Sequence, residues 1–130
     1  MREFKFRIWD KTNKTFLCCS NDDDLLINMQ GDIYLAIETL RDAYDLDYCS
    51  SSFYKISQFT GLKDKHGKEI YEGDIVKFDD GEIAEVVFFC GAFLTKLKKG
   101  ECVRIDYKTK PIWRDGEIIG NIYENSELLK

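Results

Sequence analysis

A single proline, Pro111, and a single histidine, His66, stand in a chain of 130 residues. The sequence holds no GxSxG, no GxxxxGK[ST], no HExxH and no GxGxxG. That excludes a nucleophile elbow, a phosphate-cradling loop, a zinc-protease helix and a dinucleotide fingerprint. No apolar run approaches the roughly 20 residues needed to span a bilayer. The amino terminus, MREFKFRIWDK, interleaves charges with apolar residues and has no continuous apolar stretch of the kind a secretory signal requires. The protein is therefore expected to stay in the cytoplasm. Five cysteines, Cys18, Cys19, Cys49, Cys90 and Cys102, form no CxxC pair, and their number is odd. They read as reduced thiols, mostly buried small hydrophobes, rather than a disulfide framework or a zinc site. Adjacent Cys18 and Cys19 point to opposite faces of a strand, and His66 sits in a polar turn away from them. A Cys–His dyad would need one ordinary cysteine to meet His66 in space. Neither a catalytic residue nor a metal nor any other cofactor is expected.

Hydrophobic residues make up 44% of the chain and charged residues 33%, an ordinary balance for one globular domain. A chain of this length buries roughly two-thirds of its extended surface on folding, enough for a single core. The net charge of −5 gives no general attraction to duplex DNA or to an anionic membrane.

Phe4–Trp9 alternates apolar and polar residues, which puts Phe4, Phe6 and Ile8 on one face of a half-buried strand. Asp10–Lys14 has turn composition and Thr15–Cys19 reads as the returning strand, so the chain opens with a β-hairpin. Trp9, on the opposite face, is expected under a loop. Asn21–Asp24 resembles the start of a calcium loop, but counting from Asp22 the sixth and twelfth places hold Ile27 and Ile33 instead of Gly and Glu. A solvated loop explains it better. Leu25–Tyr44 carries two conflicting signals. Gly31-Asp32 makes a two-residue hairpin loop between Leu25–Gln30 and Ile33–Ala36. Ile33, Ala36, Ile37, Leu40 and Tyr44 follow helical spacing, with Asp32 as an N-cap. The reading that satisfies both is a hairpin followed by a short helix near Ile37–Tyr44; a longer helix from Asp32 is the alternative. Ser-rich Cys49–Phe53 is the one candidate linker, dividing an N-terminal region, residues 1–53, from residues 54–130.

From Tyr54 onward the pattern is regular. Tyr54–Phe59 alternates as a strand. Ile75–Phe78, Glu82–Phe89, Ala92–Leu97, Cys102–Tyr107 and Glu117–Tyr123 follow as short strands, with turn signals at Asp80-Gly81, Gly91, Gly100 and Gly116. That spacing marks a small antiparallel barrel. The fold class expected is mainly β: an SH3-like five-stranded barrel in the C-terminal half, an N-terminal β-hairpin region and one short helix. Pro111 falls between the fourth and fifth barrel strands, where no ladder bond is lost. Leu128 and Leu129 are expected to cap the barrel.

The centre of the chain is Gln58–Val76, QFTGLKDKHGKEIYEGDIV. Gly61, Gly67 and Gly73 are each expected to turn the backbone, Asp64 and Asp74 to accept backbone hydrogen bonds there, and Ile70, Tyr71, Ile75 and Val76 to enter the core. The string TGLKDKHGKEIYEGDIV resembles the signature of the YopX family of phage and prophage proteins. REFKFRIWDK at Arg2–Lys11 and GNIYENSELL at Gly120–Leu129 resemble the same family. The resemblance frames the whole chain and implies a family of unknown function, with no catalytic residues to carry over.

Two surface features remain as candidate sites. Lys96, Lys98, Lys99, Arg104, Lys108, Lys110 and Arg114 are opposed in their window only by Glu101 and Asp106, a local +5 in an acidic chain. Tyr107 and Trp113 are interleaved, the combination with which single-stranded nucleic-acid binders stack bases and hold phosphates. Lysines guarding a strand edge against aggregation explain the same residues more simply, so nucleic acid is a partner of second rank. The exposed rim Lys63, Lys65, His66 and Lys68 is the other, expected to act by joining that patch. Eighteen aromatic residues exceed what one modest core hides. Some of Trp9, Phe16, Tyr34, Tyr48, Phe53 and Tyr54 are therefore expected in a homo-oligomer interface. The leading expectation is a non-enzymatic binding or assembly protein that self-associates, with an unknown protein partner and no membrane. Nucleic-acid binding is the alternative, and acidic modulation of a host protein the next.

Overall fold

A computed structural model describes residues 3–17, 24–28, 30–38, 44–49, 52–105 and 111–130. The chain forms two compact units, one of Arg7–Ile56 and the other of Met1–Phe6 with Ser57–Lys130.

In the first unit, β1 (Phe6–Asp10) and β2 (Thr15–Phe16) form the expected hairpin, pairing Trp9 with Phe16 and Asp10 with Thr15. Asp10 holds the turn: its carboxylate accepts the N–H groups of Thr12 and Asn13 and the Asn13 amide. Trp9 is buried and meets Phe16 edge-on at 4.9 Å. The face expected for Phe4 and Phe6 is not a buried one. Both rings are exposed, while Ile8, Trp9 and Asp10 are buried in succession. Next come β3 (Asp24–Ile27), β4 (Ile33–Glu38) and β5 (Tyr44–Cys49), an antiparallel sheet in which β4 is central. The Gly31 turn is real, with φ of 87°, and Asn28 closes it by accepting the N–H groups of Gln30 and Asp32. The short helix expected near Ile37–Tyr44 is replaced by strand at both of its ends, Ile37–Glu38 and Tyr44, and residues 39–43 lie outside the described residues. Ile37 pairs with Asp45 and Glu38 with Tyr44, so the strand signal continues where helical spacing pointed to a helix.

β6 (Tyr54–Lys63) enters the second unit at Ser57, and there it and β7 (Glu69–Tyr71) flank the Asp64–Lys68 turn. β8 (Asp74–Phe78), β9 (Ile83–Phe89), β10 (Ala92–Leu97), β11 (Cys102–Arg104) and β12 (Gly116–Asn121) form a five-stranded antiparallel sheet in the order β11-β10-β9-β8-β12. The last strand returns beside the first, and the one α-helix of the described residues, α1 (Ile112–Asp115), lies in the connection before it. This is the SH3-like arrangement. One core joins it: Ile70, Val76, Phe78, Ala84, Val86, Leu97, Ile105 and Ile112. Pro111 sets the start of α1, its carbonyl accepting from the Arg114 and Asp115 N–H groups. A 3-10 turn, Ser126–Leu129, ends the chain with Leu128 and Leu129 half-buried.

Gly67 and Gly73 turn the backbone as expected, both at φ of 83°. Gly61 does not reverse it. It lies within β6, where the register against β7 shifts between Phe59 and Lys63, so its positive φ makes a bulge. Cysteine burial is also corrected: Cys90 and Cys102 are free thiols on the surface, because both fall at the ends or edge of the sheet. Cys18 and Cys19 lie outside the described residues.

Candidate functional site

Asp64 builds the rim. Its Oδ1 accepts the N–H groups of His66 and Lys68, each at 2.9 Å, and its Oδ2 accepts the Ile118 N–H at 3.1 Å. The Lys65 N–H donates to the Gly116 carbonyl, so the turn is fastened along β12. Burial pushes the pKa of the Asp64 carboxyl up, yet these three N–H groups outweigh it and hold the carboxyl below its ordinary value. Around this turn cations alternate with carboxylates. Lys65 Nζ lies 2.7 Å from Asp79 and 3.8 Å from Glu117, and His66 Nε2 lies 3.5 Å from Glu117. The Asp79 hydrogen bond is the main reason the Lys65 ammonium is held above its ordinary value. Arg114 grips Asp115 through Nε at 2.7 Å and Nη2 at 2.8 Å. The structure thus sets Lys65, His66 and Arg114 in one charge-balanced neighbourhood. Lys63 and Lys68 are exposed beside it.

The basic patch divides. Lys96, Lys98, Lys99 and Arg104 are exposed together on the β10–β11 hairpin. Lys96 stands opposite Cys102 on one side and Glu85 on the other, and Lys98 Nζ donates to the Lys130 carbonyl at 3.2 Å. A cleft of about 220 Å³ lies at this end, between Gly81–Ile83 and Leu97–Lys99. Trp113, 47% exposed, and Arg114 belong to α1. Tyr107, Lys108 and Lys110 lie outside the described residues.

Sequence reasoning missed the opposite end of the same strands. β8 pairs only with Ile83–Glu85 of β9, and β11 only with Leu94–Lys96 of β10. β9 and β10 continue pairing with each other out to Phe89 and Ala92, so they extend past both neighbours as a two-stranded arm. Cys90 and Gly91 close the arm with φ of 50° and 76°, the double positive φ of a hairpin turn whose twist matches the strands. Phe88 meets Phe93 edge-on at 5.1 Å, yet Phe88 is 51% and Phe89 60% exposed. Beside the arm lies a groove of about 500 Å³, lined chiefly by Thr60, Leu62, Phe88, Phe93, Arg104 and Ile105. The Glu72 carboxylate fixes one wall by accepting the backbone N–H groups of Gln58 and Phe88. Burial and the charge of Glu85 still hold it above the usual carboxylate range. The signal in the sequence was the apolar run VVFFCGAF, which reads as buried strand unless the neighbouring strands are known to be short.

The aromatics expected at an interface are distributed otherwise. Trp9 is buried, Phe16, Tyr34 and Tyr54 are half-buried, and Phe53 is exposed. The Tyr48 side chain lies outside the description. Among the described residues no group of His, Cys, Asp or Glu is arranged to hold a metal ion, and no helix is long and apolar enough to cross a membrane.

Fold and surface together define a mainly β protein with an SH3-like barrel and a projecting aromatic hairpin. Residues 5–130 match the YopX protein family, and the chain belongs to that family. Two solved structures are similar over 100% of this chain and 100% of theirs. Protein yopX from Bacillus subtilis is 23% identical with a TM-score of 0.66. Protein EF1440 from Enterococcus faecalis is 26% identical with a TM-score of 0.61. A search of the curated proteins finds no match.

Proposed function

We propose that this chain is a phage- or prophage-encoded binding or assembly protein without catalytic activity, self-associating in the cytoplasm of a bacterial host. The observation that supports this is the β9–β10 arm, which holds Phe88 and Phe89 in water beside a groove of mixed polar and apolar lining. Adjacent exposed phenylalanines cost solubility, and contiguous apolar surface of this kind marks an interaction site. Aromatic side chains are also the commonest anchors of protein interfaces. Replacing both by serine, Phe88→Ser with Phe89→Ser, tests the reading by size-exclusion chromatography. The wild type is expected to elute ahead of the double variant, with circular dichroism unchanged. Co-elution of the two as monomers would contradict the proposal.

The cluster of Lys96, Lys98, Lys99 and Arg104 on one hairpin favours nucleic-acid binding as a second reading. Labelled single-stranded DNA titrated at low and moderate salt tests it, since phosphate contacts weaken steeply as salt rises. Absence of binding at low salt removes it.

A further inference from the structure

We propose that self-association through the β9–β10 arm is linked to protonation of Glu72, the side chain that ties the arm to β6, so that a second copy binds the arm more tightly as pH falls. This rests on the reading of the chain as a self-associating protein and adds a regulation of that same surface. The tie is geometric. β8 pairs with β9 as far as Ile75 opposite Glu85. Past that point the Gly73 N–H donates to the Val86 carbonyl at 2.8 Å, and the Glu72 carboxylate accepts the Phe88 N–H. The same carboxylate accepts the Gln58 N–H, and the Glu72 N–H donates back to the Gln58 carbonyl at 2.9 Å. Glu72 therefore bridges two walls of the groove, since Gln58 and Phe88 both line it. It is half-buried, whereas the rings of Phe88, bonded to it, and of Phe89, next along the chain, are exposed.

A second copy that covers those two rings also shields this carboxylate from water. Losing water penalises the charged form of a carboxyl and spares the neutral one, so association favours uptake of one proton from solvent onto a Glu72 oxygen in each copy. The other carboxyl oxygen still accepts from the backbone N–H groups. The charge that bears on Glu72 acts in the same direction. On β9 it is Glu85, a like charge, which stands opposite Lys96 of β10. β6 brings the uncharged Gln58. In the chain beside Glu72, the Tyr71 hydroxyl donates to Glu69, and the Asp74 carboxylate accepts the Tyr71 N–H. After β12, Tyr123 lies against Gly73 with its hydroxyl 3.5 Å from Ser57 Oγ. Burial and Glu85 already hold the Glu72 carboxyl above the usual carboxylate range, so further burial starts from a group poised to take its proton.

The test measures the dissociation constant for self-association of the full chain by sedimentation equilibrium at pH 8, 7 and 6. That range lies above the isoelectric point of about 4.9, where loss of net charge by itself promotes association. From pH 8 to pH 6 the wild-type constant is expected to fall at least about threefold, against a linkage ceiling of about tenfold per pH unit for each proton taken up. Glu72→Gln is neutral throughout. It is expected to associate at pH 8 as tightly as the wild type at pH 6 and to lose the dependence. Glu101→Gln makes the same change of net charge at an exposed site and is expected to keep it. If Glu72→Gln fails to fold, Glu85→Gln decides, because removing the like charge moves the dependence to lower pH. Equal association of the wild type at pH 8 and pH 6 overturns this inference alone. So does association that weakens as pH falls, or a dependence that Glu72→Gln retains or that Glu85→Gln leaves in place. A wild type that stays monomeric at every pH overturns the parent reading as well.

Discussion

At Asp64 one carboxylate takes hydrogen bonds from three backbone N–H groups, two in its own turn and one across the fold at Ile118. Asp64→Ala leaves those donors without their acceptor, and bonds to a charged group are the strong class. The expected loss is about 2–4 kcal/mol in urea unfolding. Because the folded carboxyl lies below its unfolded value of about 3.9, its stabilisation is full above that pH and is lost as pH falls through the folded value. Asp64→Asn should flatten the acid limb of stability against pH. Glu72 works in the opposite sense. Its folded value is raised, so its stabilisation is present below about 4.3 and is lost as pH rises through the folded value. Glu72→Gln keeps an acceptor and removes the repulsion with Glu85, so the unfolding midpoint at neutral pH should equal or exceed that of the wild type. Gly73 shows backbone constraint: at φ of 83° an added Cβ is strained and would lie 3.3 Å from Ile122. Gly73→Ala should cost about 1–2 kcal/mol. The turn roles of Asp64 and Gly73 were legible because the chemistry is local. The third partner of Asp64, Ile118, was not, since 54 residues separate them.

The elements show where local signals compete. α1 has four residues, far too few to be stable alone, and Ile112 holds it by filling the core completely. Ile112→Ala should destabilise by about 2–5 kcal/mol in the same unfolding assay. Trp113→Ala, one residue on and half exposed, should change stability by no more than about 0.5 kcal/mol. At Ile33–Glu38 the Gly31-Asp32 turn favoured a strand while apolar spacing favoured a helix. Pairing with both β3 and β5 decided for the strand, and that pairing is non-local information. The first strand was legible as a strand but its faces were not. Period-two alternation shows which residues share a face, whereas burial of Ile8, Trp9 and Asp10 in succession depends on what covers each side. The arm escaped notice for a related reason. Val86–Phe89 reads as interior strand, and only the short reach of β8 and β11 leaves Phe88 and Phe89 in solvent.

Over the whole molecule, the barrel spacing and the family resemblance were legible because turns recur at regular intervals and the motif residues sit at both ends and the middle. The functional surface was only partly so. Charge patterning located Lys96, Lys98, Lys99 and Arg104, and the structure keeps those four together; it places Arg114 beside Asp115 and Asp79, where its charge is balanced. Phe4, Phe6, Phe53 and Trp113 are exposed as well among the described residues, but Phe88 and Phe89 adjoin one another in the arm, and the account of the protein as a self-associating binding module depends on them. The direct test is the absolute mass of the wild-type chain by light scattering across a dilution series. The account expects a mass at least twice that of the 15.2 kDa chain, falling toward it on dilution. A constant 15.2 kDa at every concentration would contradict it.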